Sequence, residues 1–228
     1  GARVAIAARQ PAALEAAAQR LRDETGATVL AVPADCRKAD DCTRVVEAVT
    51  QAFGGIDILV NNDGAPPLGE ITSFDDIAWH KAVEQNLMYV VRMARQVVPL
   101  MRSRGGGSIV NITALSAIEP RPGFGLSVAT WSAVIAYAKT LSLEVAADHI
   151  NVNTLCPGLI DTSRLDRVFG PGTPGNEARE RLAQDVPMKR IGTPEEVAGL
   201  VALLVSDKGR YITGTAIQVD GGALRAVR

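Results

Sequence analysis

The chain has 228 residues, 47% hydrophobic and 21% charged, with a formal net charge of −1; it can bury the core of one α/β domain or two small ones. It has no basic surplus for nucleic acid or an anionic membrane, and its longest uninterrupted apolar runs, such as 200–205, are too short to span a bilayer. Cys36, Cys42 and Cys156 are odd in number and lack CxxC spacing, which fits a reducing, cytoplasmic setting and argues against a disulfide framework or zinc site.

Short β runs alternate with amphipathic helices, the pattern of a parallel sheet covered on both faces. Residues 3–8 read as a strand. Pro11 opens a helix where its missing N–H costs nothing; Leu14, Ala17, Ala18 and Leu21 form the buried stripe, and Gly26 stops it. Residues 28–32 form the next strand. Asp40 or Asp41 is expected to cap a helix with Cys42, Val45, Val46, Val49 and Phe53 at apolar spacing. Gly54 and Gly55 break that helix, and a buried strand over 56–60 leads into Asn61-Asn62-Asp63-Gly64. The spacing then predicts a long, bent helix over 75–104, a strand over 108–112, a second long helix over 126–147 and a strand over 150–155. Cys156-Pro157-Gly158 turns the chain into the region 161–186, whose Gly170-Pro171-Gly172-Thr173-Pro174-Gly175 has loop chemistry. Thr193-Pro194-Glu195-Glu196 is a capping box opening a helix to about residue 205, and 216–219 is the last strand. No repeat, linker or low-complexity tract divides the chain, so residues 1–228 are expected to form one domain.

Six motifs in this order resemble the short-chain dehydrogenase/reductase family. They are Asp35 after the second strand, Asn61-Asn62-x-Gly64, Asn86 within Gln85-Asn86-Leu87, Gly107-Ser108-Ile109-Val110-Asn111-Ile112, Pro157-Gly158-x-Ile160-x-Thr162, and the tail from Gly214 to Gly222. The resemblance spans nearly the whole chain and implies an α/β Rossmann fold, a doubly wound parallel sheet with helices on both faces. It makes Gly1-Ala2-Arg3-Val4 the entry to the family's second strand. The family's first strand–helix unit, with its glycine-rich pyrophosphate turn, is absent from these residues. It is expected to precede them as roughly 20 to 40 more, since two inner sheet edges would otherwise stay unpaired.

In the family a serine, a tyrosine and a lysine carry the chemistry. The tyrosine exchanges a proton with the substrate oxygen as hydride moves to or from the nicotinamide. The lysine holds the nicotinamide ribose and lowers the tyrosine pKa, the serine orients the substrate, and an asparagine maintains a proton path. At the matching positions this chain has Ala114, Ser127 and Trp131, and only the asparagine is kept, as Asn86. Ala114 has no hydrogen-bonding side chain, Ser127 is too weak an acid to replace an activated phenol, and the Trp131 indole is an uncharged donor. Tyr137 and Lys139 are two residues apart, face different sides of their helix and read as surface residues. Ordinary turnover is therefore expected to be negligible, leaving a binding or assembly role. An active reductase using a substitute acid or water, and a non-redox enzyme on the same pocket, are the alternatives. His80 and His149 read as surface or helix-end residues, Cys156 as a small buried hydrophobe, Glu119 and Arg121 as a solvated pair over the site, and Trp79 as helix packing.

By the same resemblance, Arg9 can pair with the 2′-phosphate of NADP, since Ala8 stands where an acidic residue would select NAD, or it can remain a solvated loop arginine. Asp35 and Cys36 fall at the adenine. Asn62, Asp63 and Gly64 fall along the adenosine and ribose, with the Asp63 carboxylate unfavourably near a pyrophosphate. Pro157, Gly158, Ile160 and Thr162 match the segment that holds the nicotinamide carboxamide and phosphate. NADP is favoured over NAD if a cofactor binds, and no metal is expected. The small-molecule ligand is left open, because Arg164, Asp166, Arg167 and Phe169 in the region 161–186 carry no readable code. Family assembly through the two long helices and the last strand implies a dimer or tetramer, of this chain or with an active relative.

Overall fold

Glycine and proline set the first element boundaries in the computed structural model, which describes residues 1–62, 64, 66–165 and 175–226. β1 (Val4–Ala8) and β2 (Val29–Pro33) pair in parallel around α1 (Pro11–Thr25). Gly26, at a left-handed φ of 66°, ends α1 by returning its N–H to the Arg22 carbonyl. α2 (Ala39–Phe53) ends on Gly54 in the same way. Its N-cap is Lys38, not Asp40 or Asp41, which lie in the first turn, where negative charge suits the helix dipole. Asp41 instead accepts the Asp35 backbone N–H at 2.6 Å.

A second parallel sheet contains β3 (Ile58–Asn61), β4 (Gly107–Ile112), β5 (Ile150–Pro157) and β6 (Ala216–Val219), in that spatial order. β1 and β3 are not hydrogen-bonded to each other; on these strands Val4, Ile58 (41%) and Val60 (44%) stay exposed. Helices join the two sheets. α2 packs on α4 (Tyr89–Ser103), and one core runs from Val32, Val45 and Val49 through Val90 and Val97 to Ile109 and Val152. Arg92 adds a polar tie, donating to the Arg37 carbonyl at 3.0 Å while pairing with Glu84.

The long helix expected over 75–104 is interrupted. Asp75 caps α3 (Asp76–Val83) by accepting the Ala78 N–H at 2.8 Å, a π-helical turn follows at Glu84–Met88, and α4 completes the span. α5 (Gly125–Val145) buries Leu126, Thr130, Trp131, Val134, Ala138 and Val145 on one stripe. With its short extension it is long and apolar enough to cross a membrane by length and composition, at a mean hydropathy of 1.2. Counting uninterrupted apolar runs overlooks it, because Ser, Thr and Tyr punctuate the helix. Here α5 packs on β5 and on the α3–α4 joint. The region 161–186 also holds α6 (Gly175–Gln184), which the Gly-Pro cluster hid; residues 170–174 of that cluster lie outside the described residues.

α7 (Pro194–Leu204) starts at the expected capping box. Glu196 accepts the Thr193 N–H at 2.9 Å and both forks of Arg190 at 2.6 and 2.8 Å. The Arg190 hydrogen bond, followed by the Thr193 N–H, holds the Glu196 carboxyl down to about 2. Its folded pKa lies below its unfolded one, so this contribution is present above the ordinary carboxylate range and is lost as pH falls through about 2. Glu196→Gln is expected to lower the thermal midpoint near neutral pH, with the gap from the parent closing between about pH 5 and about pH 2. Circular dichroism melts test this; a gap constant with pH would show that the charge plays no part.

Candidate active site

The candidate residues cluster at the C-terminal ends of the parallel strands, the edge where open α/β sheets bind ligands. β3 and β4 end in register, and buried Asn61 donates from Nδ2 to Asn111 Oδ1 at 2.8 Å. The turn after β3 reaches Gly64 at φ 105°. A Cβ there would lie 2.0 Å from Asn86 Oδ1 and 3.5 Å from Trp131 Nε1, so only glycine admits this approach. Asn86 sits in the π-helical turn, whose extra residue shifts the helical phase and sends the amide inward. It is 1% exposed; its Nδ2 donates to Thr130 Oγ1 at 2.7 Å, and that hydroxyl donates on to the Leu126 carbonyl at 2.7 Å. Its Oδ1 is buried without a hydrogen-bond partner among the described residues.

Ser127 and Trp131 lie one turn apart on the same face of α5. Helical side chains lean toward the N-terminus, so the indole covers the turn that carries Ser127. Trp131 is 4% exposed and Ser127 1%, and the Ser127 hydroxyl has no hydrogen-bond partner among the described residues. Ala114 precedes a tight turn, Leu115–Ala117, pinned to α5 by the Ser132 hydroxyl donating to the Ala117 carbonyl at 2.7 Å. In that turn Ser116 also carries a buried hydroxyl with no partner among the described residues. Attention to the family offset alone passes over it.

Two surface expectations are corrected. Tyr137 packs against the main core, and burial pushes its phenol up, because α5 is apolar on more than one face. Glu119 is not solvated as half of a loop pair, since its Oε2 is buried without a partner among the described residues. Lys139, Arg121, His80 and His149 are exposed, and Trp79 is half-buried on α3. Cys156 is fully buried against Thr113, and burial raises its thiol.

Beyond the ends of β1 and β2, Arg9, Pro33, Ala34, Asp35 and Asp41 line a cavity of about 250 Å³. Arg37 grips the Asp35 carboxylate at 2.6 and 2.7 Å, and that bond chiefly holds the carboxyl below its usual range. Cys36 is half-buried, and its carbonyl accepts the Cys42 thiol at 3.1 Å. Asn62 is exposed; Asp63, like Asp166, Arg167 and Phe169, lies outside the described residues. Pro157 closes β5, and the Gly158 N–H donates to the Val219 carbonyl at 3.0 Å. A Cβ at Gly158 would come 2.9 Å from Asp220 Cβ. Ile160 pairs with Gly192, and exposed Thr162 donates to the Ile160 carbonyl at 3.5 Å. Two residues on, Arg164 Nη1 donates to the Gly64 carbonyl at 3.3 Å, and its guanidinium lies 5.5 Å from the Trp131 ring centroid. Gly64, Asn86, Trp131 and Arg164 thus meet at one point, while Arg9 and Asp35 line a separate cavity beyond β1 and β2. Arg37, Thr130 and Arg164 carry no family signal and are found only from the fold.

A family model described as enoyl-(acyl carrier protein) reductase matches residues 1–223. Human dehydrogenase/reductase SDR family member 4 is 35% identical over 223 residues, which cover 97% of this chain and 78% of the relative. The chain belongs to the short-chain dehydrogenase/reductase family. Another relative, a 3-oxoacyl-[acyl-carrier-protein] reductase of Thermotoga maritima, is 36% identical over 183 residues, covering 80% of this chain and 72% of the relative. L-sorbose reductase of Gluconobacter frateurii, solved with NADPH and L-sorbose, superposes at a TM-score of 0.94 and 36% identity, over 100% of this chain and 89% of that one. An NADPH-bound short-chain oxidoreductase of Pseudomonas aeruginosa PAO1, containing an atypical catalytic center, superposes at 0.93 and 29% identity, again over 100% and 89%.

Two substitutions probe the packing of this family member. Ser127→Ala removes an unpartnered buried hydroxyl and is expected to leave ligand-free stability unchanged or raise it by about 1 kcal/mol in urea denaturation. A comparable loss would mean the hydroxyl is hydrogen-bonded. Gly64→Ala forces a left-handed alanine into Asn86 and is expected to cost about 2 kcal/mol or more in the same assay.

Proposed function

We propose that this chain is an NADP(H)-binding short-chain dehydrogenase/reductase that keeps dinucleotide recognition and has lost ordinary hydride-transfer turnover, leaving a binding or assembly role. The observation that carries this reading is the buried Ser127–Trp131 pair, which the family resemblance sets in the tyrosine and lysine positions. Bound NADPH supplies hydride to a carbonyl carbon, and the pocket must supply a proton to the carbonyl oxygen. An alcohol without a neighbouring ammonium is a poor source of that proton, and an indole N–H donates a hydrogen bond without releasing its proton. Ala114 offers no side-chain hydrogen bond to orient a substrate. Loss of the general acid alone removes about 10²–10⁴ in rate.

The residues fit the dinucleotide. Gly64 and Gly158 present side-chain-free backbone at the strand ends, packed against Asn86 and Asp220 of the chain itself, and Asn86 Oδ1 beside Gly64 is a buried acceptor with no partner among the described residues. Arg9 would take the 2′-phosphate, favouring NADP over NAD. Asp35 has its charge met by Arg37, so it repels that phosphate less. Asp35 and Cys36 would face the adenine, Asn62 to Gly64 the ribose side, and Pro157, Gly158, Ile160 and Thr162 the nicotinamide side. The NADPH bound by the Gluconobacter and Pseudomonas proteins supports this choice. Exposed Val4, Ile58 and Val60 support docking of the family's first strand between β1 and β3. A cytoplasmic dimer or tetramer built through α4, α5 and β6 completes the proposal.

A second reading, an active reductase with a substitute acid, has specific observations behind it. Ser116 and Glu119 both carry buried, unpartnered oxygens within five residues of Ala114, and the Pseudomonas neighbour contains an atypical catalytic center. Restoring the family residues separates the two readings. The triple variant Ala114→Ser, Ser127→Tyr, Trp131→Lys is expected to raise NADPH-dependent ketone reduction by about 10²-fold or more from a near-zero baseline. A parent that already turns over a panel of ketones and aldehydes would overturn the loss of turnover and turn attention to Ser116 and Glu119.

A further inference from the structure

We propose that Arg164, seated on the Trp131 indole, is the cation with which this site holds the nicotinamide-side ribose and phosphate of a dinucleotide. The proposal rests on the NADP(H)-binding reading above and assigns it a residue outside the family motifs. A pocket that accepts a dianionic diphosphate needs a fixed positive charge close to it. In the family the lysine supplies one near the nicotinamide ribose, and here that position is the neutral Trp131. The structure returns a charge to the same place from another part of the chain.

Three observations place it there. The Arg164 guanidinium lies 5.5 Å from the Trp131 ring centroid, within the range in which an aromatic face attracts a cation. Its Nη1 donates to the Gly64 carbonyl at 3.3 Å, and Gly64 is the residue whose missing Cβ admits Asn86, with the indole in ordinary contact range beside it. Arg164 also follows Thr162 by two residues, so it spans from the segment after β5 to the turn after β3. Both loops flank the strand ends where the dinucleotide is expected.

The chemistry suits binding and not proton transfer. A guanidinium presents planar, paired N–H donors that match phosphate oxygens and ribose hydroxyls, and it stays charged across the working pH range, so it gives up no proton. Trp131 then has a purpose that a small residue lacks. Its rigid ring fixes the guanidinium plane, so less freedom is lost when the ligand arrives. Charge and acid, supplied together in the family by one lysine–tyrosine pair, are separated here: the charge is kept and the acid is gone.

Isothermal titration calorimetry of the full-length protein with NADPH and with adenosine 2′,5′-bisphosphate, which lacks the nicotinamide half, tests this directly. Arg164→Ala is expected to weaken NADPH binding about 10- to 100-fold while leaving the bisphosphate within about twofold. Arg164→Gln, which keeps the volume, is expected to behave alike. Placing Trp131→Lys in the Arg164→Ala background is expected to restore NADPH affinity by returning a charge to the same spot. Arg9→Ala, acting at the other end, is expected to weaken both ligands. Unchanged NADPH affinity in Arg164→Ala and Arg164→Gln, with both ligands weakened by Arg9→Ala, would overturn the role of Arg164 and leave the NADP(H) reading standing. Equal loss of both ligands in the Arg164 variants would overturn the nicotinamide-side assignment. A parent protein without affinity for either ligand would overturn the inference and the reading beneath it.

Discussion

The close approach of Gly64 to Asn86 is the constraint on which the site depends. It brings together the turn leaving β3, the joint between α3 and α4, and the first turns of α5, three segments far apart in sequence. Asn86 reaches that point only because a π-helical turn interrupts the helix, and its amide is held by Thr130 one residue before Trp131. A side chain at position 64 would push the turn away from the helices. The strand-end cleft would then lose its shared wall, and Arg164 the carbonyl it reaches.

Much of the architecture is written in local chemistry. Gly26 and Gly54 stop helices because each must adopt a left-handed conformation. The Thr193–Glu196 box and the strand at Ala216–Val219 follow from residue type and spacing alone. The π-helical turn is different. Residues 84–88 favour helix as strongly as their neighbours, so the extra residue per turn is imposed by packing against Gly64 and Thr130. The helix at Gly175–Gln184 was hidden by glycines and prolines just before it. Tyr137 was misjudged because α5 is apolar around much of its circumference, so spacing does not say which side faces solvent. Arg164 was unreadable for a simpler reason: its partners are Trp131 and the Gly64 carbonyl, and no local pattern records a contact between separate loops.

With Ser127 and Trp131 in the family's tyrosine and lysine positions, as proposed above, the two residues make physical sense as a pair. They face the same side of α5 one turn apart, and a large residue at 131 leans over the turn that holds 127. A serine in place of a tyrosine opens volume there, and a tryptophan in place of a lysine fills volume beside it. Cores tolerate such exchanges when total volume is conserved. The cost appears in polarity, because the Ser127 hydroxyl is sealed away without a partner. Under the proposed loss of turnover, the site would keep its packing while no longer needing its acid.

Electrostatics lead to the same distinction. A phenol is useful as an acid near neutral pH only when a neighbouring cation lowers its pKa. Without an ammonium at 131, a tyrosine at 127 would have little catalytic value, so under the proposed reading the two changes reinforce each other. Ligand binding does not share that dependence, because an anionic dinucleotide responds to the presence of positive charge and not to which loop supplies it. Arg9 and Arg37 lie beside Asp35 at the cavity beyond β1 and β2, and Arg164 stands on Trp131 at the separate point where Gly64 and Asn86 meet. On the proposed reading, such charges would hold a dinucleotide without supplying an acid, and the neutral Trp131 indole serves as the platform for one of them.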